Sequence, residues 1–360
     1  MAEAKSIETL SVFFTAGVVA GTFVSGPVSW ALPALLLPLL GLPLLLRKQL
    51  VRLPERQAEG LILTLFLLLG LFCALLSGIP GAEGEGWLTR VALAAGGGLR
   101  AFIDSLPFPH DETAALLKAL LTGDRSGLPA QTVAVFRQSG ASHLLALSGL
   151  HVGILYLLLD RLVGIAGGSP SARRLRFAAV VGASGFFTLM TGASPSLVRA
   201  FLFILINELL HLLHRPRRPL RVLCLALLLQ LVLNPAVVRS VGFQLSYLAM
   251  AGIFLLYPVL ERWYPEGSRW NPLRRLWQGA ALAISCQLFT APLAWFRFHS
   301  FPRYFLLTNL LAIPLTTGVM VSAVATLGLW ALGLCPAGLI TATDGLCRLL
   351  LNCLEVIASL

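Results

Sequence analysis

The sequence predicts an all-α integral membrane protein, a polytopic bundle of about 11 transmembrane helices, some of them broken or re-entrant. Three observations lead there. Of 360 residues 57% are hydrophobic and only 12% charged, with mean hydropathy +0.84, whereas a soluble domain carries roughly 45–50% apolar and about 25% charged residues. The apolar stretches are long and continuous, as helices of about 20 residues require, and lack the alternation of a membrane barrel strand. Every second connection between them is basic.

The predicted spans lie near 11–25, 28–46, 61–80, 143–160, 175–192, 196–213, 220–237, 241–260, 276–296, 305–331 and 337–359. Gly26-Pro27, Ser194-Pro195 and Cys335-Pro336 punctuate them, since proline and glycine interrupt helices. The first ten residues carry two glutamates beside one lysine, with no small-residue cleavage site after a short apolar core, so the first span is expected to stay as an anchor. The segmentation is 1–80, an N-terminal membrane segment of three spans; 81–105, an extracytoplasmic linker with an interfacial helix; and 106–360, a second transmembrane domain. Within the long connection at 81–131, Leu88 to Leu106 reads as the interfacial helix and Asp111 to Thr122 as a short apolar one.

Cytoplasmic loops of membrane proteins hold the Lys/Arg excess. With the N-terminus inside, the inner segments collect 17 basic residues against seven acids. This places the N-terminus in the cytoplasm, the C-terminus outside and 81–131 outside, in a bacterial inner membrane. The same bias accounts for the net charge of +11 and the pI near 10. Nucleic-acid binding cannot be argued from basicity alone.

No cofactor or metal is expected. The six cysteines sit in or beside apolar segments without CxxC or Cys/His spacing, so they read as small apolar fillers. There is no Walker loop, GxGxxG, HExxH or GxSxG, which removes the common nucleotide-driven and soluble-enzyme classes.

The segment from Phe136 to Tyr156 is the most informative. As one helix it would align Ser142, Ala146, Gly149 and Gly153 in a small-residue seam. His151 would point the opposite way, with Ser148 and His143 near it. A polar intramembrane face lines a cavity or pathway; alternatively each histidine bonds a neighbouring carbonyl. The eighth span repeats the pattern, with Gly242 and Ser246 on a small seam and Gln244 and Tyr247 on the other side. In the sixth span Arg199 and Glu208 lie on opposite faces. Each needs a partner or water, because an ionised group deep in hydrocarbon costs at least ~2.5 kcal/mol; for Arg199 snorkelling to the interface is the alternative. Asn309 opens the tenth span, where Pro314 offers either a broken helix or a simple kink.

The blocks LLTGDRSGLP, FRQSGASHLLALSGLHVGIL, MTGASPSLVRAFLF, NPAVVRSVGFQLSYLAMAGI and FLLTNLLAIPL, in this order from about Leu106 to Ala331, resemble the membrane "competence" domain of the ComEC family. The resemblance implies an inner-membrane channel through which single-stranded DNA enters bacteria during natural transformation. It also implies a DNA receptor outside and an ATP-dependent helicase or translocase inside. Only about 50 residues fill the interval where that family commonly has an extracellular OB-fold, and no HxHxDH metal signature occurs. A DNA strand needs a wet path, cations for its phosphates and tolerance of any base; the outer side offers Lys118, Arg125, Arg137, Arg297 and Arg303, with Arg199 deeper. The alternatives are a transporter of a small solute or lipid-linked substrate, and an intramembrane enzyme using His143, His151 and Glu208.

Overall fold

A computed structural model describes residues 6–24, 36, 40, 54–77, 86–164, 170–264, 271–299 and 301–360. Among them every regular element is helical: α1 (Ile7–Thr22), α2 (Glu55–Leu76), α3 (Trp87–Asp104), α4 (Asp111–Thr122), α5 (Ala130–Gln138), α6 (Ser142–Leu145), α7 (Gly149–Gly164) and α8 (Pro170–Met190). There follow α9 (Pro195–Leu212), α10 (Pro219–Leu233), a 3₁₀ turn (Pro235–Arg239), α11 (Val241–Leu255), α12 (Tyr257–Glu261), α13 (Pro272–Phe298), α14 (Phe305–Ala331) and α15 (Ala337–Ala358). The all-α membrane class is confirmed. Six of the described helical segments are long and apolar enough to cross a bilayer: Gln57–Leu76, Pro195–Leu212, Val241–Glu261, Pro272–Phe298, Phe305–Ala331 and Ala337–Ala358. The predicted span at 28–46 lies outside the described residues.

The chain forms two compact units, Met1–Gly84 with Leu202–Tyr247, and Glu85–Phe201 with Leu248–Leu360. In the first, α1 packs along α2 through glycine. A Cβ on Gly17 would collide with the Leu67 carbonyl oxygen, one on Gly70 with the Phe14 carbonyl oxygen, and one on Gly21 would meet the Ala74 side chain. Two backbones that close gain dispersion contacts that lipid tails cannot replace. α10 packs against both α1 and α2, and the Ser11 hydroxyl of α1 donates to the Ile7 carbonyl at 2.7 Å.

In the second unit α14 and α15 form an antiparallel hairpin. Tyr304 Oη donates to the Leu360 carbonyl at one end (3.1 Å), and Thr326 and Thr343 hydroxyls pair at 2.9 Å near the other. Leu116, Leu117 and Leu120 of α4, Phe136 of α5 and Leu144 and Leu145 of α6 join Val319, Met320, Leu350 and Leu354 of the hairpin in one core. Exposed Trp295, Phe296, Leu307 and Leu349 stand on the outside of the long helices, where lipid would cover them. Pro314 does not break its span: α14 runs unbroken from Phe305 to Ala331, so the residue removes one backbone donor without ending the helix.

The fourth predicted span is different. The chain leaves helix after Leu145 and re-enters it at Gly149, with Ala146 extended at φ −78° and ψ 119°. The seam of Ser142, Gly149 and Gly153 therefore does not form, because a change of backbone direction destroys the angular register that a single helix would keep.

Candidate functional site

The break between α6 and α7 is built from its own sequence. Ser148 is the N-cap of α7, accepting the Leu150 amide on Oγ at 3.3 Å, while the Ser148 amide donates to Nδ1 of His151 at 3.2 Å. This is the reciprocal arrangement of a capping box with histidine in the place usually held by Glu or Gln. At the other lip, Arg125 Nε donates to the Leu145 carbonyl at 3.1 Å, answering an oxygen that the break would otherwise leave open. His143 sits just upstream, with Nδ1 3.2 Å from the Gly140 carbonyl, which makes Nδ1 the protonated nitrogen.

His151 carries the opposite tautomer. Its Nδ1 receives a backbone N–H, so the ring proton of the neutral form is on Nε2. That atom is buried and finds no hydrogen-bond partner among the described residues, and the whole residue is 0% exposed. A buried donor left open costs about 1–3 kcal/mol, an arrangement retained where water or a passing acceptor completes it.

On the side of α7 away from His151 lies Arg199 of α9. It is 6% exposed, and a Cβ on Gly149 would sit 2.8 Å from its Nη2. Glycine at 149 thus makes room for a guanidinium, together with Ala200, and not for another backbone. Gly153 has open space around it among the described residues. The snorkelling alternative for Arg199 does not fit a guanidinium packed over Gly149.

The remaining expected residues lie on other elements. Glu208 is buried at 2% and belongs to the other unit. Gln244 Nε2 donates to the Val238 carbonyl at 2.8 Å, closing the 3₁₀ turn, and Tyr247 Oη donates to Gln230 Oε1 at 2.9 Å. Both polar groups bind within the first unit. Gly242 and Ser246 lie on α11 as expected. Arg303 is exposed just before α14, and Asn309 is half-buried in its first turns. No cluster of three or more His, Cys, Asp or Glu with metal-holding geometry occurs among the described residues.

Sequence reasoning passed over Asp344. It lies inside α15 at 4% exposure, accepting from Thr113 Oγ1 at 2.6 Å and facing His110 Nδ1 at 2.9 Å. A lone acid in the apolar run ITATDGLCRLLL was the available signal.

Comparison with known proteins agrees with the order of the motifs. The family model "Competence protein" matches residues 120–360. The ComE operon protein 3 of Bacillus subtilis is 29% identical over 221 residues, covering 60% of this chain and 26% of that protein. Recombination protein 2 of Haemophilus influenzae is 26% identical over 221 residues, 57% of this chain and 27% of that one. The uncharacterized protein YcaI of Escherichia coli is 26% identical over the same length, 60% and 28%. The chain therefore spans about a quarter of the length of these relatives. No solved structure matches. With two thirds of its residues inside the family model, the break between α6 and α7 among them, the chain belongs to the Competence protein family.

Proposed function

We propose that this chain conducts single-stranded DNA across the bacterial inner membrane during natural transformation. The observation that carries the reading is Arg199, a guanidinium 6% exposed against the first residue of a broken span, in a member of the Competence protein family. A cation in a site of low dielectric attracts a polyanion more strongly than a surface arginine does, and a phosphate contact is indifferent to base sequence. Ser148, His151, His143 and Arg125 supply polar groups at the break, and Arg303 supplies a cation elsewhere. DNA is delivered by a receptor outside and drawn in by an ATP-dependent helicase or translocase inside, because no nucleotide motif is present in the sequence.

The reading includes an orientation with the N-terminus cytoplasmic and the C-terminus extracytoplasmic. Ser268→Cys should resist an impermeant thiol reagent applied to intact cells; modification from outside overturns the map.

Function is tested in a strain lacking the gene, by following labelled DNA that becomes resistant to external nuclease. Loss of protected DNA, restored by the intact gene, is the expected result. Normal DNA uptake in the deletion strain rejects the reading and favours a carrier of small solutes or lipid-linked substrates.

A further inference from the structure

The connection between the third and fourth predicted spans is expected outside the membrane, yet its helices reach far along the hairpin of α14 and α15. Asp344, which meets His110 and Thr113, lies seven residues from the first residue of α15 and 14 from the last. At 1.5 Å per residue these are about 10 Å and about 21 Å from the two ends. α15 is a candidate span by its length and composition; with α15 across the bilayer, His110 and the start of α4 fall within the thickness of the hydrocarbon whichever end of α15 faces the cytoplasm.

α3 descends beside α4. Arg100 Nε pairs with Asp124 at 3.5 Å, and Asp104 pairs with Lys118 Nζ at 2.7 Å, so the C-terminal turn of α3 runs antiparallel beside the second half of α4. The turn at the bottom, Ser105 to His110, contains Pro107 and Pro109. It is non-helical backbone with two donors removed, and such a segment persists at membrane depth only inside protein or beside water.

A cavity of about 280 Å³ runs along this hairpin, lined among others by Asp104, His110, Asp111, Ala114, Lys118 and Gly127. The side chains of Asp104 and His110 are 51% and 48% exposed. Polar and ionisable groups so open at that depth cannot face lipid tails.

We propose that α3 and α4 form a re-entrant hairpin, and that the cavity beside it is a water-filled vestibule penetrating the membrane to His110 and Asp344. Its occupants are water and small hydrophilic cations, since Asp104 and Asp111 on the wall face a single lysine. The vestibule is distinct from the break at Ser148, and the proposal does not depend on DNA being the substrate.

The test uses single cysteines in a variant whose six native cysteines are replaced. Ala114→Cys places a thiol on the cavity wall. Ala342→Cys places one on the exposed face of α15, two residues from Asp344. The probe is trimethylammonium-ethyl methanethiosulfonate, applied to intact cells and to inverted vesicles, with labelling in denaturing detergent to count the thiols. The reagent needs a hydrated thiolate, so position 114 should react at least about tenfold faster than position 342, and from one side only. Equal rates overturn the proposal. Both fast would mean that this part of α15 is outside the membrane, and both slow would mean that the cavity is dry.

Discussion

The α1–α2 pair and the α6–α7 break use small residues and backbone hydrogen bonds in opposite ways. In the pair, glycines 17, 21 and 70 bring two intact helices into backbone contact, and every internal hydrogen bond stays in its ladder. At the break the ladder is given up over three residues, and side chains take over: Ser148 and His151 at one lip, Arg125 at the other. The first arrangement leaves no room for water. The second leaves a buried donor on His151 and a guanidinium against Gly149. Small residues are common to both, and what they approach distinguishes packing from a site.

The largest expected effect comes from attacking the cation. Arg199→Gln should reduce DNA uptake to near background while the amount of protein in the membrane is unchanged. Arg199→Lys keeps the charge but loses the planar two-pronged geometry, so it should be partly active. Uptake by the glutamine variant at the unmodified rate would transfer the phosphate contact to Arg125 or Arg303.

The glycine pair should respond in the reverse manner, through stability. Gly17→Val drives a side chain into the Leu67 carbonyl and should cost about 1–3 kcal/mol, the usual penalty of overpacking, visible as a lower melting temperature in detergent. Gly60→Ala, on an open face of α2, should leave it unchanged or slightly raised. A similar loss at both positions would mean that the close approach of α1 and α2 contributes nothing.

These two regions also show what could be read without coordinates. The polar face of the fourth span was visible because His143, Ser148 and His151 stand out in an apolar run. The break was not, since SGLH reads as helix by composition and becomes a cap only when the Ser148 amide turns to Nδ1. Gly17 and Gly21, spaced four apart, were a readable packing signal that the richer motifs downstream obscured. Arg199 was singled out by its cost in hydrocarbon, but its neighbour Gly149 could only be found in three dimensions. Gln244 and Tyr247 looked like path residues, and their acceptors, Val238 in the 3₁₀ turn and Gln230 in α10, belong to other elements and are found only in three dimensions.

A smaller effect separates the two functions of His151. His151→Gln retains a group that can occupy the third position of a capping box, whereas His151→Leu removes the acceptor for the Ser148 amide, at about 1 kcal/mol. If the cap is what matters, the glutamine variant should import DNA well and the leucine variant poorly, with equal protein levels. Failure of both would assign the requirement to Nε2.

The smallest effect concerns pH at the turn after α4. The Ser126 hydroxyl and then its amide donate to Asp124, and with lesser help from Arg100 and Lys118 they hold its carboxyl below the usual carboxylate range. A lowered value means that the folded state is favoured while the group is ionised. The contribution is therefore present at neutral pH and lost as pH falls through the folded value. Because the carboxylate is partly exposed, Asp124→Asn should lower the melting temperature only slightly, with the loss present at neutral pH and vanishing as pH falls through the folded value; a loss confined to acid pH would contradict this.

The most direct test traps DNA in transit. A strand bearing thiol-reactive bases and a bulky trailing end should jam in the path and cross-link to Ser148→Cys at the break, but not to Gly17→Cys in the close-packed pair. Cross-linking at 148 alone is the predicted result. Cross-linking at 17, or none at 148 while the jammed strand is protected from external nuclease, would contradict the account.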